Sequence, residues 1–184
     1  AQVVPERAIG GSEGGPYLLA AGGVHHGRPY VLNEMVVGTW GARAGKDGIE
    51  GISNPAANIS NQPVEMIETD MPVEVLAYGL VADSGGPGEF RGGLAFVREF
   101  RFLADTRFTL RGDRRDHPPY GLEGGAPGAP SAHILVRPDG AARSLPTMPM
   151  ESFPARAGDV FRLVGAGGGG YGDPLHRASE RVAD

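Results

Sequence analysis

Glu65 and Glu68 are the first residues in the chain whose type and spacing suit acid–base chemistry. Three residues apart on a helix, they share one face, where two carboxylates could raise one another's pKa or share a cation. On a strand they would point opposite ways. Asn54, Asn58 and Asn61 lead into the pair, so the stretch 54–68 is dense in groups that orient a polar ligand. The same residues also suit a solvated helix with asparagine caps. A second group is Asp83-Ser84-Gly85-Gly86-Pro87-Gly88, leading to Arg91-Gly92-Gly93. It would carry Asp83, Ser84 and Arg91 on a loop whose bare backbone lets a substrate or a partner chain approach closely, or it is an ordinary glycine-rich strand connection. The candidates are therefore Glu65, Glu68 and Asp83 for catalysis, and Asn58, Asn61, Ser84 and Arg91 for substrate binding.

Other chemistries are disfavoured. Ser84 lacks the Gly-x-Ser-x-Gly elbow of a serine hydrolase. Gly165–Gly172 (GAGGGGYG) is not a Walker loop, because no Lys-Ser/Thr follows its glycines and Lys46 is the chain's one lysine. Nor is it a dinucleotide loop, since Tyr171-Gly172-Asp173-Pro174 reads as a turn and not as a helix start. Close backbone packing, where another polypeptide passes, fits it better. The ion-pair cluster Asp113-Arg114-Arg115-Asp116-His117 could bind a carboxylate and is better suited to bracing a loop. His25 and His26 are adjacent and no histidine lies three or four residues from another, so no metal site closed within this chain is expected.

The elements that must position these groups are mainly strands. Tyr30–Val37, Val73–Ala82, Leu94–Phe102, Arg107–Arg111, His133–Arg137, Ala141–Leu145 and Val160–Val164 are short, rich in β-branched or aromatic residues, and bounded by glycine or proline. In Leu94–Phe102, Phe96, Arg98, Phe100 and Phe102 share one face, opposite Val97, Glu99 and Arg101. Both faces are mixed, which predicts protein on both sides. Pro138-Asp139-Gly140 predicts a hairpin between 133–137 and 141–145. Helix signals are sparse: Pro63–Thr69, with Asn61 as its cap and Pro72 beyond its end, and a tail at Pro174–Asp184. Gly121–Ser131 reads as a long surface loop. The fold class expected is α+β, predominantly β, with antiparallel strands, long Gly/Pro-rich loops and few short helices.

The 184 residues suit one core. Thirty-one glycines and 16 prolines raise the prior for disorder, but a net charge of only −5 and well-formed aliphatic runs oppose it. The chain has no cysteine, which excludes disulfides and thiolate chemistry within it and suits a cytoplasmic home. No stretch approaches the roughly 18 apolar residues of a membrane span. A pI near 5.5 disfavours a nucleic-acid surface.

The motifs taken in order resemble the hydantoinase B/5-oxoprolinase family: Gly41-Ala42-Arg43, Asp47-Gly48, Asn61-x-Pro63-x-Glu65-x-x-Glu68, Asp83-Ser84-Gly85-Gly86-x-Gly88-x-x-Arg91-Gly92-Gly93, Asp113-Arg114, Pro119-x-Gly121-Leu122-x-Gly124-Gly125 and Gly167–Gly170-Tyr171-Gly172-Asp173-Pro174. The likeness covers nearly the whole chain. It implies a C-terminal portion, 1–184, of a B-type subunit in an ATP-dependent assembly that opens cyclic amides, or that carboxylates ketones. It further implies a hydantoinase A-type subunit that handles ATP, a companion chain carrying the N-terminal portion of the B-type subunit, and hence a hetero-oligomer. ATP and a divalent metal belong to that complex and are expected mainly outside this chain, which has no equivalent of the family's N-terminal Asn-Asp-Pro-Tyr-x-Gly-Gly-Thr-His motif. Alone, the chain is expected to be inactive. A purely structural assembly module is the other reading.

Overall fold

A computed structural model describes residue 4, residues 7–52 and residues 59–182. Among the described residues, nine strands make two antiparallel sheets. The four-stranded sheet has the order β2 (Arg28–Val36), β1 (Tyr17–His25), β5 (Thr106–Arg111), β8 (Phe153–Ala155). The five-stranded sheet has the order β3 (Val73–Leu80), β4 (Phe96–Phe102), β9 (Val160–Val164), β6 (Ala132–Val136), β7 (Ala142–Ser144). The fold is thus α+β and predominantly β, with one short α-helix among the described residues, α1 (Val64–Asp70), whose buried Ile67 joins the core.

Alternation along the strands builds the core between the sheets. Tyr17, Leu19 and Ala21 of β1 and Phe108 and Leu110 of β5 face Phe96, Phe100 and Phe102 of β4 and Phe161 and Leu163 of β9. Aromatic rings join the layers: Phe108 lies 5.4 Å from Phe102 and 5.1 Å from Phe161, and Tyr17 meets Phe96 edge-on at 5.2 Å. The outer face of β4 is ion-paired instead of covered by a further layer of described residues, as Arg101 bonds Glu74 of β3 and Glu99 bonds Arg162 of β9. Paired charges explain why its sequence looked mixed on both sides.

Two strands were not expected from sequence. β1 carries Ala20-Ala21-Gly22-Gly23, a poor strand former in isolation, yet it is the central partner of β2 and β5, in register from Tyr17↔Val36 and Leu18↔Arg111. Its hairpin to β2 turns at His26 (φ 49°) and Gly27 (φ 75°), the positive-φ pair of a two-residue turn. β8 contains Pro154, which an edge strand tolerates because no further strand needs its missing N–H. Three other expectations are corrected. Asn61 does not cap α1: Pro63 stands at the cap without a side-chain bond. The tail forms only 3-10 turns at Pro174–His176 and Ser179–Arg181. The Gly121–Ser131 stretch is tied into the interior, with the amides of Gly125, Ala126, Gly128 and Ala129 bonded to Leu122, Pro87, Pro119 and Ser84.

Gly165–Gly170 is buried throughout and explains that tie. The N–H of Gly167 donates to Ala129, that of Gly168 to Gly93, that of Gly169 to Gly11, and that of Gly170 to Ala126. The bonding direction therefore moves between three flanking segments and returns to the first after three residues, the period of an extended three-per-turn helix. In return, Gly86, Ala42 and Leu122 donate to the carbonyls of Gly168, Gly169 and Gly170. A Cβ on Gly167, Gly168, Gly169 or Gly170 would lie 1.8, 2.2, 1.9 or 2.1 Å from the carbonyl oxygen of Ser84, Trp40, Tyr120 or Pro87. The close packing expected of this run is present, and the passing polypeptide is the chain's own loops.

Gly168→Ala should therefore abolish cooperative unfolding or cost more than about 4 kcal/mol, beyond ordinary point substitutions. Gly79→Ala, in open space on β3 without positive φ, should be neutral or slightly stabilising. Urea unfolding followed by circular dichroism compares the two.

Candidate functional site

The sandwich is open along the flank between the end of β2 and the outer part of β3. A cavity of about 370 Å³ lies there, walled by Val37, Leu80 and Phe96 and edged by Glu50, Asn61 and Tyr78. The Nδ2 of Asn61 donates to the hydroxyl of Tyr78, while the buried Oδ1 of Asn61 has no partner. Glu50 Oε1 accepts from Arg91 Nη1 at 2.8 Å and from the amide of Leu94 at 3.3 Å. Apolar walls with a side-chain amide, a hydroxyl and an Arg91-paired carboxylate at the edge suit a small molecule with one polar edge.

Behind Tyr78 lies a buried charge pair. The guanidinium of Arg98 sits 4.4 Å from the centroid of the Tyr78 ring and bonds Glu34 of β2, Nη1 to Oε1, at 2.6 Å. Both side chains are at most 1% exposed. The pair crosses from one sheet to the other behind the Tyr78 ring. Burial pushes the Glu34 carboxyl up against the opposing pull of Arg98. Arg98 Nε and Nη2 have no hydrogen-bond partner, so the desolvation cost is offset by the one bond to Glu34, by the Tyr78 and Phe100 rings over which the guanidinium lies, and by the Gln62 backbone beside Glu34.

On the far side of the Phe96 ring the interior is polar again. Glu13 is 1% exposed and neither carboxyl oxygen has a partner. Burial raises its pKa from 4.5 to about 8, despite the nearby Thr39 and Gly38 amides. Tyr17 accepts from the amide of Ala166 at 3.0 Å, and burial pushes its hydroxyl pKa well up. His133, wholly buried 5.9 Å from the Tyr17 ring, is lowered to about 4 by burial and then by Arg115, and stays neutral.

The structure separates the residues singled out in the sequence. Asn58 lies outside the described residues. Asn61 edges the cavity. Glu65 is exposed in the first turn of α1 and lines neither this cavity nor the next. Glu68, also exposed, accepts from the amide of Val75 at 2.8 Å and lines a different depression beside His25, His26 and Asp70. Asp83, left-handed at φ 57°, shares a third cavity with Arg91, Arg177 and Arg181. Ser84 is buried, its hydroxyl donating to Val81 O at 2.6 Å and accepting from the amide of Ala95 at 2.7 Å. Arg91 alone connects two groups, since its backbone N–H bonds Asp47 and its side chain reaches Glu50 at the Asn61 cavity. Glu34, Glu50 and Tyr78 were missed. The alternation Leu32-x-Glu34-x-Val36, matching Phe96-x-Arg98-x-Phe100, was the available signal for the buried pair.

The glycine run does not fit a phosphate, since the amides of Gly167–Gly170 are all spent on backbone carbonyls. Among the described residues, no group of three or more His, Asp or Glu could hold a metal ion. No helix of the described residues is long and apolar enough to cross a membrane.

The fold is a sandwich laced by a buried glycine strand, with a small polar-edged cavity on its flank. The family model for hydantoinase B/oxoprolinase matches residues 1–174, and the chain belongs to that family. It is 35% identical over 184 residues to a Pseudomonas sp. (strain NS671) protein provisionally named as the B-type subunit of a D-/L-hydantoinase, covering 99% of this chain and 31% of that one. Among solved structures, the fold is similar to an ATP-dependent caprolactamase from Pseudomonas jessenii, with TM-score 0.82, 24% identity, and coverage of 99% of this chain and 33% of that one. It is also similar to an ATP-dependent acetone carboxylase in its nucleotide-free form, with TM-score 0.79, 22% identity, and coverage of 100% and 29%. The chain spans about a third of the length of each of these relatives.

Two outcomes follow from the buried groups. Arg98→Met alone should cost about 3–5 kcal/mol by stranding Glu34, and adding Glu34→Leu should recover most of it; chemical denaturation of the three proteins measures this. Glu13 is raised in the folded state, so its contribution is fully present below pH 4.5 and lost as pH rises through about 8. Glu13→Gln should therefore gain stability relative to wild type across that window, by up to about 1.4 kcal/mol per pH unit, as read by melting curves from pH 5 to 8.

Proposed function

We propose that this chain is the C-terminal portion of a B-type subunit in an ATP-dependent cyclic-amide hydrolase, and that it works with the rest of that subunit and an A-type partner. The observation that carries the reading is the match over 99% of the chain to a protein named as the B-type subunit of a hydantoinase. The fold shared with a caprolactamase supports the same architecture. The glycine run offers no phosphate donors, which supports ATP handling by the A-type partner, and the complex's divalent metal is assigned outside this chain. The assembly works in the cytoplasm, as the cysteine-free composition suits.

In this reading the flank cavity holds the polar edge of a small ring. The Asn61 side-chain amide and the Tyr78 hydroxyl meet the amide edge of the ring, and Val37, Leu80 and Phe96 pack the ring carbons. Arg91 positions Glu50, and Ser84 fixes the loop that carries Asp83 and Arg91. Asn58 belongs to the same segment of chain as Asn61. Glu65 and Glu68 lie one to two helical turns beyond and define the competing site on α1.

ATP-dependent turnover of the reconstituted complex decides between the two places. Asn61→Ala and Tyr78→Phe should each lower kcat/KM for a cyclic amide about tenfold, equivalent to about 1.4 kcal/mol, with Glu65→Gln and Glu68→Gln near wild type. The opposite pattern would move the site to α1. Turnover of a ketone with bicarbonate and no cyclic amide would replace the hydrolase reading with a carboxylase.

A further inference from the structure

The two sheets differ in what they show to the outside. An antiparallel sheet with one solvated face alternates apolar-in with polar-out. The five-stranded sheet obeys this, with the Glu74–Arg101 and Glu99–Arg162 ion pairs across its outer face. In the four-stranded sheet β5 obeys it too, but β1 and β2 do not. The outward residues of β1 are Leu18, Ala20, Gly22 and Val24, with no polar side chain among them. Beside them on β2, Val31 pairs with Gly22 and Met35 with Leu18, leaving Asn33 as the one polar interruption. Val24, Val31 and Met35 are 64, 69 and 38% exposed. The central column of alanine and glycine is low, so a covering element would settle between the taller side chains of β2 and those of β5.

The β5 border supplies a charge. Arg107 and Arg111 point outward, and Arg107 spends its Nε and Nη2 on Ser152. Arg111 has no ion pair or side-chain hydrogen bond among the described residues.

We infer that the outer face of β1 and β2 is the seat of the remaining part of the B-type subunit, which lays an apolar strip along β1 and sets a carboxylate against Arg111. This rests on the reading under Proposed function, and the occupant follows from length. The chain spans 31% of its hydantoinase-named relative and 33% of the caprolactamase. In this reading roughly two-thirds of the subunit lies outside this chain and is the occupant at hand, and an apolar sheet of this kind costs free energy for as long as it faces water.

The test is co-expression of this chain with the companion two-thirds of the subunit, followed by affinity co-purification and size-exclusion chromatography with light scattering. Wild type and Arg162→Gln, on the opposite sheet, should carry the companion in a one-to-one complex. Val31→Lys combined with Met35→Lys should lose at least nine-tenths of it without a change in melting temperature, and Arg111→Glu should weaken it independently. Companion retained at wild-type levels by both of these would overturn the assignment of the face while leaving the family reading intact. Failure of wild type to carry the companion would overturn the reading and the seat together. A wild-type homodimer broken by the β2 substitutions, with the companion still bound, would give the face to a second copy and overturn the inference.

Discussion

An extended chain with three residues per turn sends successive N–H and C=O groups toward different neighbours, so one strand can bond several segments at once if no side chain stands between them. Gly167–Gly170 is such a strand, and it is the interaction on which the molecule depends. It leaves β9, buries itself, and collects the loops around Gly11, Ala42, Gly86, Gly93, Leu122 and Ala126 through their main chains. Those loops come from distant parts of the sequence, and none could be held by hydrophobic burial, having little side chain to bury. Backbone hydrogen bonds, each modest in net terms but costly to leave unmade in the interior, replace the second core that a chain this rich in glycine lacks.

The sandwich beside this bundle carries charges that its core would be simpler without. Arg98 and Glu34 tie the two sheets at the flank where the cavity opens, and the Tyr78 ring screens the guanidinium from solvent. Glu13 and His133 flank the same core with opposite consequences for pH. Glu13 contributes most in acid and least above pH 8, whereas His133, lowered from 6.5 to about 4, contributes fully above 6.5 and loses its contribution as pH falls through 4. Their opposition flattens the pH profile of stability between 4.5 and 6.5, where both contributions change at once.

Much of the fold was legible because period-two alternation and turn chemistry are local. The strand at Val160–Val164 and the hairpin over Pro138-Asp139-Gly140 are where they were expected. β1 was not legible, because an Ala-Ala-Gly-Gly centre becomes a strand only when β2 and β5 flank it. The glycine run was recognised as a packing device, but its partners lie up to about 160 residues away in sequence, and no local pattern names them. Of the residues that edge the candidate cavity, Asn61 stood out in the sequence through the polar stretch 54–68. Tyr78 could not, because its place at the cavity depends on a bulge in β3 between Val75 and Ala77 and on the gap between two sheets.

Amide hydrogen exchange in the native state, read residue by residue at Gly167–Gly170, tests the dependence of the whole on the glycine strand. If that strand is what joins the loops to the sandwich, its amides should exchange only through global unfolding, with protection equal to that of Phe100 and Phe161 in β4 and β9. Exchange of those glycine amides through local opening, with β4 and β9 still protected, would show that the sandwich stands without the bundle and would contradict the account.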